Sequence, residues 1–132
     1  MSTSNLWGDL PEAVIARNPL QILKEQASEL TKMTKGVLMG IVEGPLPYGS
    51  GTFAFELSIR APALNDYSIT VLRIEYNLHM YPLTLTDILK PKQHECNDES
   101  TYLSELKNIL QSSGMRKVIS SLLVQSNTLA AT

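Results

Sequence analysis

Two histidines, a single cysteine and a cluster of acids are the side chains of this 132-residue chain whose types suit chemistry. His94-Glu95-Cys96 places two metal-capable groups two positions apart, and His79 offers a third. Structural zinc sites pair Cys or His across two to four intervening residues and complete a shell of four ligands. No fourth ligand follows here, so the sequence predicts no metal and no cofactor. A Cys–His nucleophile pair needs a third group to orient the base, and His94 and Cys96 on a polar stretch have none in view. Asp87, Glu95, Asp98 and Glu99 could pair for acid–base work, but acids just ahead of a helix are explained by capping and by the positive end of the helix dipole. No catalytic set is expected.

The segment 44–51, Gly-Pro-Leu-Pro-Tyr-Gly-Ser-Gly, is glycine-rich. It lacks both the Lys-Ser/Thr ending of a phosphate-binding loop and a following helix to hold an anion. Tyr48 at its tip is instead a candidate partner contact, as are Trp7, the only tryptophan, and Tyr81. Tyr67, Tyr76 and Tyr81 with Arg60, Arg73 and His79 are expected near one polar sheet face. The formal charge of −2 and pI near 5.6 repel phosphate backbones, which argues against nucleic acid. One cysteine cannot close an internal disulfide, which favours a reducing compartment. Residues 1–9 do not read as a signal peptide, and no apolar run approaches the roughly 18 to 20 residues that cross a bilayer. The expectation is a cytoplasmic protein without a membrane segment.

With 43% hydrophobic and 18% charged residues the chain can fill one core, so a single domain over 1–132 is expected. It divides into an arm over 1–17, a globular core over 18–126 and a frayed tail over 127–132. Trp7 should dock back on the domain or on a second copy. Asn18 can cap a helix with Pro19 in its first position, and the apolar spacing Leu20, Leu23, Ala27, Leu30, widened by Ile22 and Met33, carries it to Gly36. A strand over 37–42 is expected to be covered on both faces, with Gly40 allowing another backbone close. The alternation Phe53, Phe55, Leu57, Ile59 marks an inward face touching Leu23, Ala27 and Leu30. A strand over 69–76 turns Leu72, Ile74 and Tyr76 inward. A fourth, over 79–85, carries Tyr81, Leu83 and Leu85 on one side and is assigned to an edge because Pro82 lacks a ladder donor. Residues 86–97 read as an exposed loop or a single turn around Asp87 to Leu89. Asn97 or Asp98 then caps a helix ended by Gly114, and a last helix runs from Met115 to about Gln125.

Short links between strands demand antiparallel neighbours. The predicted fold class is therefore α+β: an N-terminal helix packed on a four-stranded antiparallel meander, followed by two C-terminal helices, as a two-layer sandwich. This order, with Tyr81-Pro82 late in the meander, resembles ubiquitin-conjugating enzymes and their non-catalytic relatives, the RWD domains. The enzymes carry His-Pro-Asn before their active cysteine, whereas Cys96 here follows Gln93-His94-Glu95. The RWD domains carry further prolines after Tyr-Pro, and Leu83-Thr84-Leu85 supplies none. The likeness implies topology and transfers no functional residue. A good core without a coherent catalytic set predicts a small protein-binding or accessory, regulatory module, binding a protein partner or itself as a homodimer. The alternative is a small hydrolase or transferase using His79, His94 and Cys96. A third possibility is a small-molecule binder, marked by an apolar cavity between helix and sheet.

Overall fold

The computed structural model describes residues 5–11, 17–47, 49 and 51–130. Helix α1 spans Pro19–Met33 and begins where the Asn18 side chain accepts the Gln21 N–H at 2.8 Å, with Pro19 at the first position. Strands β1 (Met39–Glu43), β2 (Thr52–Ala61), β3 (Tyr67–Asn77), β4 (Leu83–Asp87) and β5 (Lys92–Cys96) follow, then helices α2 (Glu99–Leu110) and α3 (Ser113–Ala130). The sheet is an antiparallel meander in the order β1-β2-β3-β4-β5. The α+β class and the sequence of helix, meander and two helices are as expected, with five strands rather than four.

The fifth strand, read from sequence as loop, is Lys-Gln-His-Glu-Cys. It is polar because it is an edge, and only its inward side chains, His94 and Cys96, carry any burial. Its pairing makes β4 an interior strand, correcting the edge assignment. The strand starts at Leu83, so Pro82 lies outside the ladder, and residues 79–82 form a turn with Tyr81-Pro82 in cis. The expected strand over 79–85 is thus displaced toward Asp87. At the other end of the chain, Gly114 falls in the first turn of α3 instead of ending α2, and α3 continues past Gln125 to Ala130, through part of the expected tail.

The register places one inward face over Phe55, Leu57 and Ile59 of β2, opposite Ile74, Leu72 and Ile69 of β3. Between Leu57 and Ser58 the pairing skips Val71, a bulge that lets Val71 and Leu72 both be fully buried. Phe53, expected in the core, is 40% exposed and leans on Tyr76 with ring centroids 5.9 Å apart. It lies at the start of β2, beyond the cover of the helices. The outward face carries an ion pair between Arg73 and Glu56 at 2.7 Å, Glu75 beside it, and the Ser58–Thr70 hydroxyl pair at 3.0 Å. Arg60 belongs to this face. Tyr76 shares the inward parity of Ile74 and packs against the core with Tyr81, so the expected grouping of tyrosines on one polar face does not form.

β1 is the other edge, half-buried rather than covered on both faces. Helix α1 packs mainly on it. A Cβ at Gly40 would fall on the Ala27 backbone, including 2.6 Å from its Cα, so glycine is what admits the helix. The Thr31 hydroxyl accepts the Gly40 N–H at 3.0 Å and the Thr34 hydroxyl accepts the Leu38 N–H at 3.1 Å, satisfying donors on the strand's free edge. Gly40→Ala should therefore lower stability by about 3 kcal/mol through overpacking. Gly114→Ala, with no neighbour within 4 Å, should be neutral or raise stability by up to about 1 kcal/mol through helix propensity. Denaturant unfolding of the two variants checks the contrast.

Candidate functional site

The residues expected to carry chemistry are held apart or enclosed. His94 and Cys96 share the inward side of β5, two residues apart, while Glu95 takes the opposite side. His94 Nδ1 lies 3.1 Å from Glu105 Oε2 of α2. Cys96 is fully buried, with its Sγ 3.9 Å from the His94 carbonyl oxygen. Burial, then the nearby Glu105 and Asp98 carboxylates, push its thiol up to about 11, so it stays protonated at neutral pH. His79 sits exposed in the turn before β4, where its N–H bonds the Asn77 side chain at 3.0 Å. Among the described residues no three His, Cys, Asp or Glu side chains gather as a metal site.

The acids serve the backbone. Asp98 accepts the Thr101 N–H at 2.8 Å as the cap of α2, which lowers its carboxyl below the usual value. Asp87, buried, accepts the Lys90 N–H at 3.1 Å in the β4–β5 turn. Of the candidate partner contacts, Trp7 is 81% exposed, Tyr48 lies outside the described residues, and Tyr81 is half-buried. Among the described residues the Tyr81 hydroxyl is enclosed without a hydrogen-bond partner, and burial, reinforced by Glu99, pushes it up to about 12. Beside it Tyr102, fully buried, donates its hydroxyl to the Pro19 carbonyl at 3.0 Å. That bond ties the first turn of α2 to the first turn of α1.

From this shared start the two helices do not close over the sheet. α1 sits on β1, α2 on β4 and β5, and α3 on the 62–64 turn. Between them lies an apolar groove of about 1000 Å³. Buried Leu57, Ile59 and Val71 form its bottom, Leu30 and Met33 one wall, and Leu103, Leu110, Ile119 and Leu123 the other. Met33 and Val124 stand on its lips, 79% and 61% exposed. Lys107 and Arg116 flank the α2–α3 side, and Glu29 flanks the α1 side with Lys32 at 3.8 Å. Neither Lys107 nor Arg116 forms an ion pair among the described residues.

Sequence reasoning allowed an apolar cavity between helix and sheet but did not locate it. The signal was present in the width of the stripes: Met33 broadens α1, and α3 carries Ile119, Leu123 and Val124 beside its buried Met115 and Leu122. Compared with known proteins, the chain matches no family model, no curated protein and no solved structure.

The state of Cys96 is directly measurable. Iodoacetamide at pH 8 should leave the native thiol unmodified while alkylating it in denaturant. The folded state holds the Cys96 proton to about 11 against an ordinary value of 9.0, and that of Tyr81 to about 12 against 10.0. The unfolded chain therefore ionises first, and the stability that both groups contribute, complete below pH 9, should fall as pH rises toward 12. Unfolding midpoints across that range check the sign.

Proposed function

We propose that the protein is a cytoplasmic protein-binding module without catalytic activity, and that its binding surface is the groove between α1 and the α2–α3 pair. The observation that carries this reading is the apolar volume left between three helices on a shared sheet, lipped by exposed Met33 and Val124. Contiguous exposed apolar surface of this kind marks interaction sites. Apolar walls supplied by α1, α2 and α3 suit the apolar face of an amphipathic helix, which inserts side chains at i, i+3 or i+4 and i+7. Lys107 and Arg116 on one flank favour an acidic partner helix. The single buried, protonated Cys96 is in keeping with a reducing compartment.

The test is a titration of the full chain with a tryptophan-free amphipathic helical peptide bearing leucines on one face and glutamates on the other, followed by amide and methyl NMR. Shifts should concentrate in 26–34, 103–111 and 115–127. Met33→Glu with Val124→Glu should weaken binding about tenfold or more, equivalent to about 1.4 kcal/mol. Gln93→Glu, on the exposed β5 edge, should change it little. Shifts on the outward sheet face instead, or none at saturating peptide, would contradict the reading.

A further inference from the structure

Resting on the groove as the binding surface, we infer that its partner is a second copy of this chain, joined face to face about a two-fold axis that runs along the groove. Lys107 and Arg116, both exposed, flank the α2–α3 wall and form no ion pair among the described residues. The α1 wall carries Glu29, whose carboxylate reaches Lys32 of its own helix at 3.8 Å, with both side chains largely exposed. Exposed pairs of this kind hold their partners weakly. One molecule therefore presents an acid on one wall and two bases on the other. A two-fold dimer needs a patch that complements itself, so that residue i meets j and j meets i. An axis along the groove exchanges the walls, laying each α1 over the other copy's α2–α3 pair.

The heights agree. The Tyr102–Pro19 bond ties the first turns of α1 and α2. Counted from Pro19, Glu29 lies about 15 Å along α1, and counted from Glu99, Lys107 lies about 12 Å along α2. Rotation about the groove axis preserves such heights, so Glu29 of one copy faces Lys107 of the other, twice per dimer. Met33 and Val124, the exposed lips, are exchanged in the same way, and each covers the opposite lip of the other copy. The groove-facing side of α1 also supplies the spacing asked of a partner helix, with Gln26, Leu30 and Met33 at i, i+4 and i+7 and Glu29 beside them as the acid. A formal charge of −2 on each chain opposes the approach only weakly at physiological salt.

Sedimentation equilibrium of the full chain between about 1 μM and 1 mM should show a reversible monomer–dimer equilibrium. Glu29→Lys alone, and Lys107→Glu with Arg116→Glu alone, each set like charges together at both contacts and should raise the dimer Kd about tenfold or more. In a one-to-one mixture of these two variants the reversed charges face each other at one contact and the native charges at the other. Heterodimers should then form about as tightly as the wild-type dimer, which also shows that both variants fold. The acidic helical peptide should convert dimer to monomer as it binds. A wild-type chain that stays monomeric to about 1 mM overturns the inference, and the groove reading falls with it only if the peptide also fails to bind. A dimer retained by both charge variants, variants whose mixture stays monomeric, or peptide binding that leaves the dimer intact each overturns it as well.

Discussion

Everything in the helical layer follows from how closely α1 approaches β1. Gly40 has no Cβ to collide with the Ala27 backbone, and the Thr31 and Thr34 hydroxyls take up N–H groups on the strand's free edge. A helix fixed by backbone contact and by hydrogen bonds to an edge cannot slide inward over the middle of the sheet without leaving those donors unpaired. The same arrangement protects β1 from pairing with a foreign strand. At β5, the opposite edge, charged and polar residues serve that purpose. Both edges are thus managed, and the uncovered apolar region of the sheet's inner side lies between the helices rather than along a strand.

A second anchor determines where the groove closes. Tyr102 reaches from α2 to the Pro19 carbonyl, and Tyr76, raised by burial, and Tyr81 pack around the same end. This end is well filled, as the enclosed hydroxyls and the sealed Cys96 show. The other end, lined by the second half of α1 and by α3, is not. An isolated domain would gain by closing it, since burial of each large aliphatic side chain contributes about 1.5–3 kcal/mol. That Met33 and Val124 remain exposed is the kind of forgone stability expected at a site kept open for binding.

Much of this fold was legible in the chain. Asn18 and Asp98 announced two helix starts through capping chemistry, Gly40 announced a close backbone approach, and the inward sets of β2 and β3 came from alternation. The failures have physical causes. β5 was hidden because an edge strand with one half-covered face has neither a hydrophobic run nor a clean alternation, and the edge assignment of β4 came from counting Pro82 within a strand that begins at Leu83. Phe53 obeys the alternation of β2, but parity gives the face and not how far along the strand the helices extend. The groove was illegible for a related reason. Periodicity shows that Met33, Leu110 and Leu123 widen apolar stripes, yet it cannot show whether two stripes meet. Nor does a single chain show which exposed side chains have partners, so the roles of Trp7, Tyr48 and Tyr81 rested on residue type alone.

The central claim is that apolar space remains open between α1 and the α2–α3 pair. Xenon enters dry apolar voids and leaves filled cores alone, so methyl NMR of the full chain under xenon pressure tests it most directly. The account expects pressure-dependent shifts at Leu30, Val71, Leu103 and Leu123, with Leu72, Ile74 and Leu83 unmoved. Shifts spread evenly across the core, or none at the groove methyls, would show that the helices close over the sheet and that no such site exists.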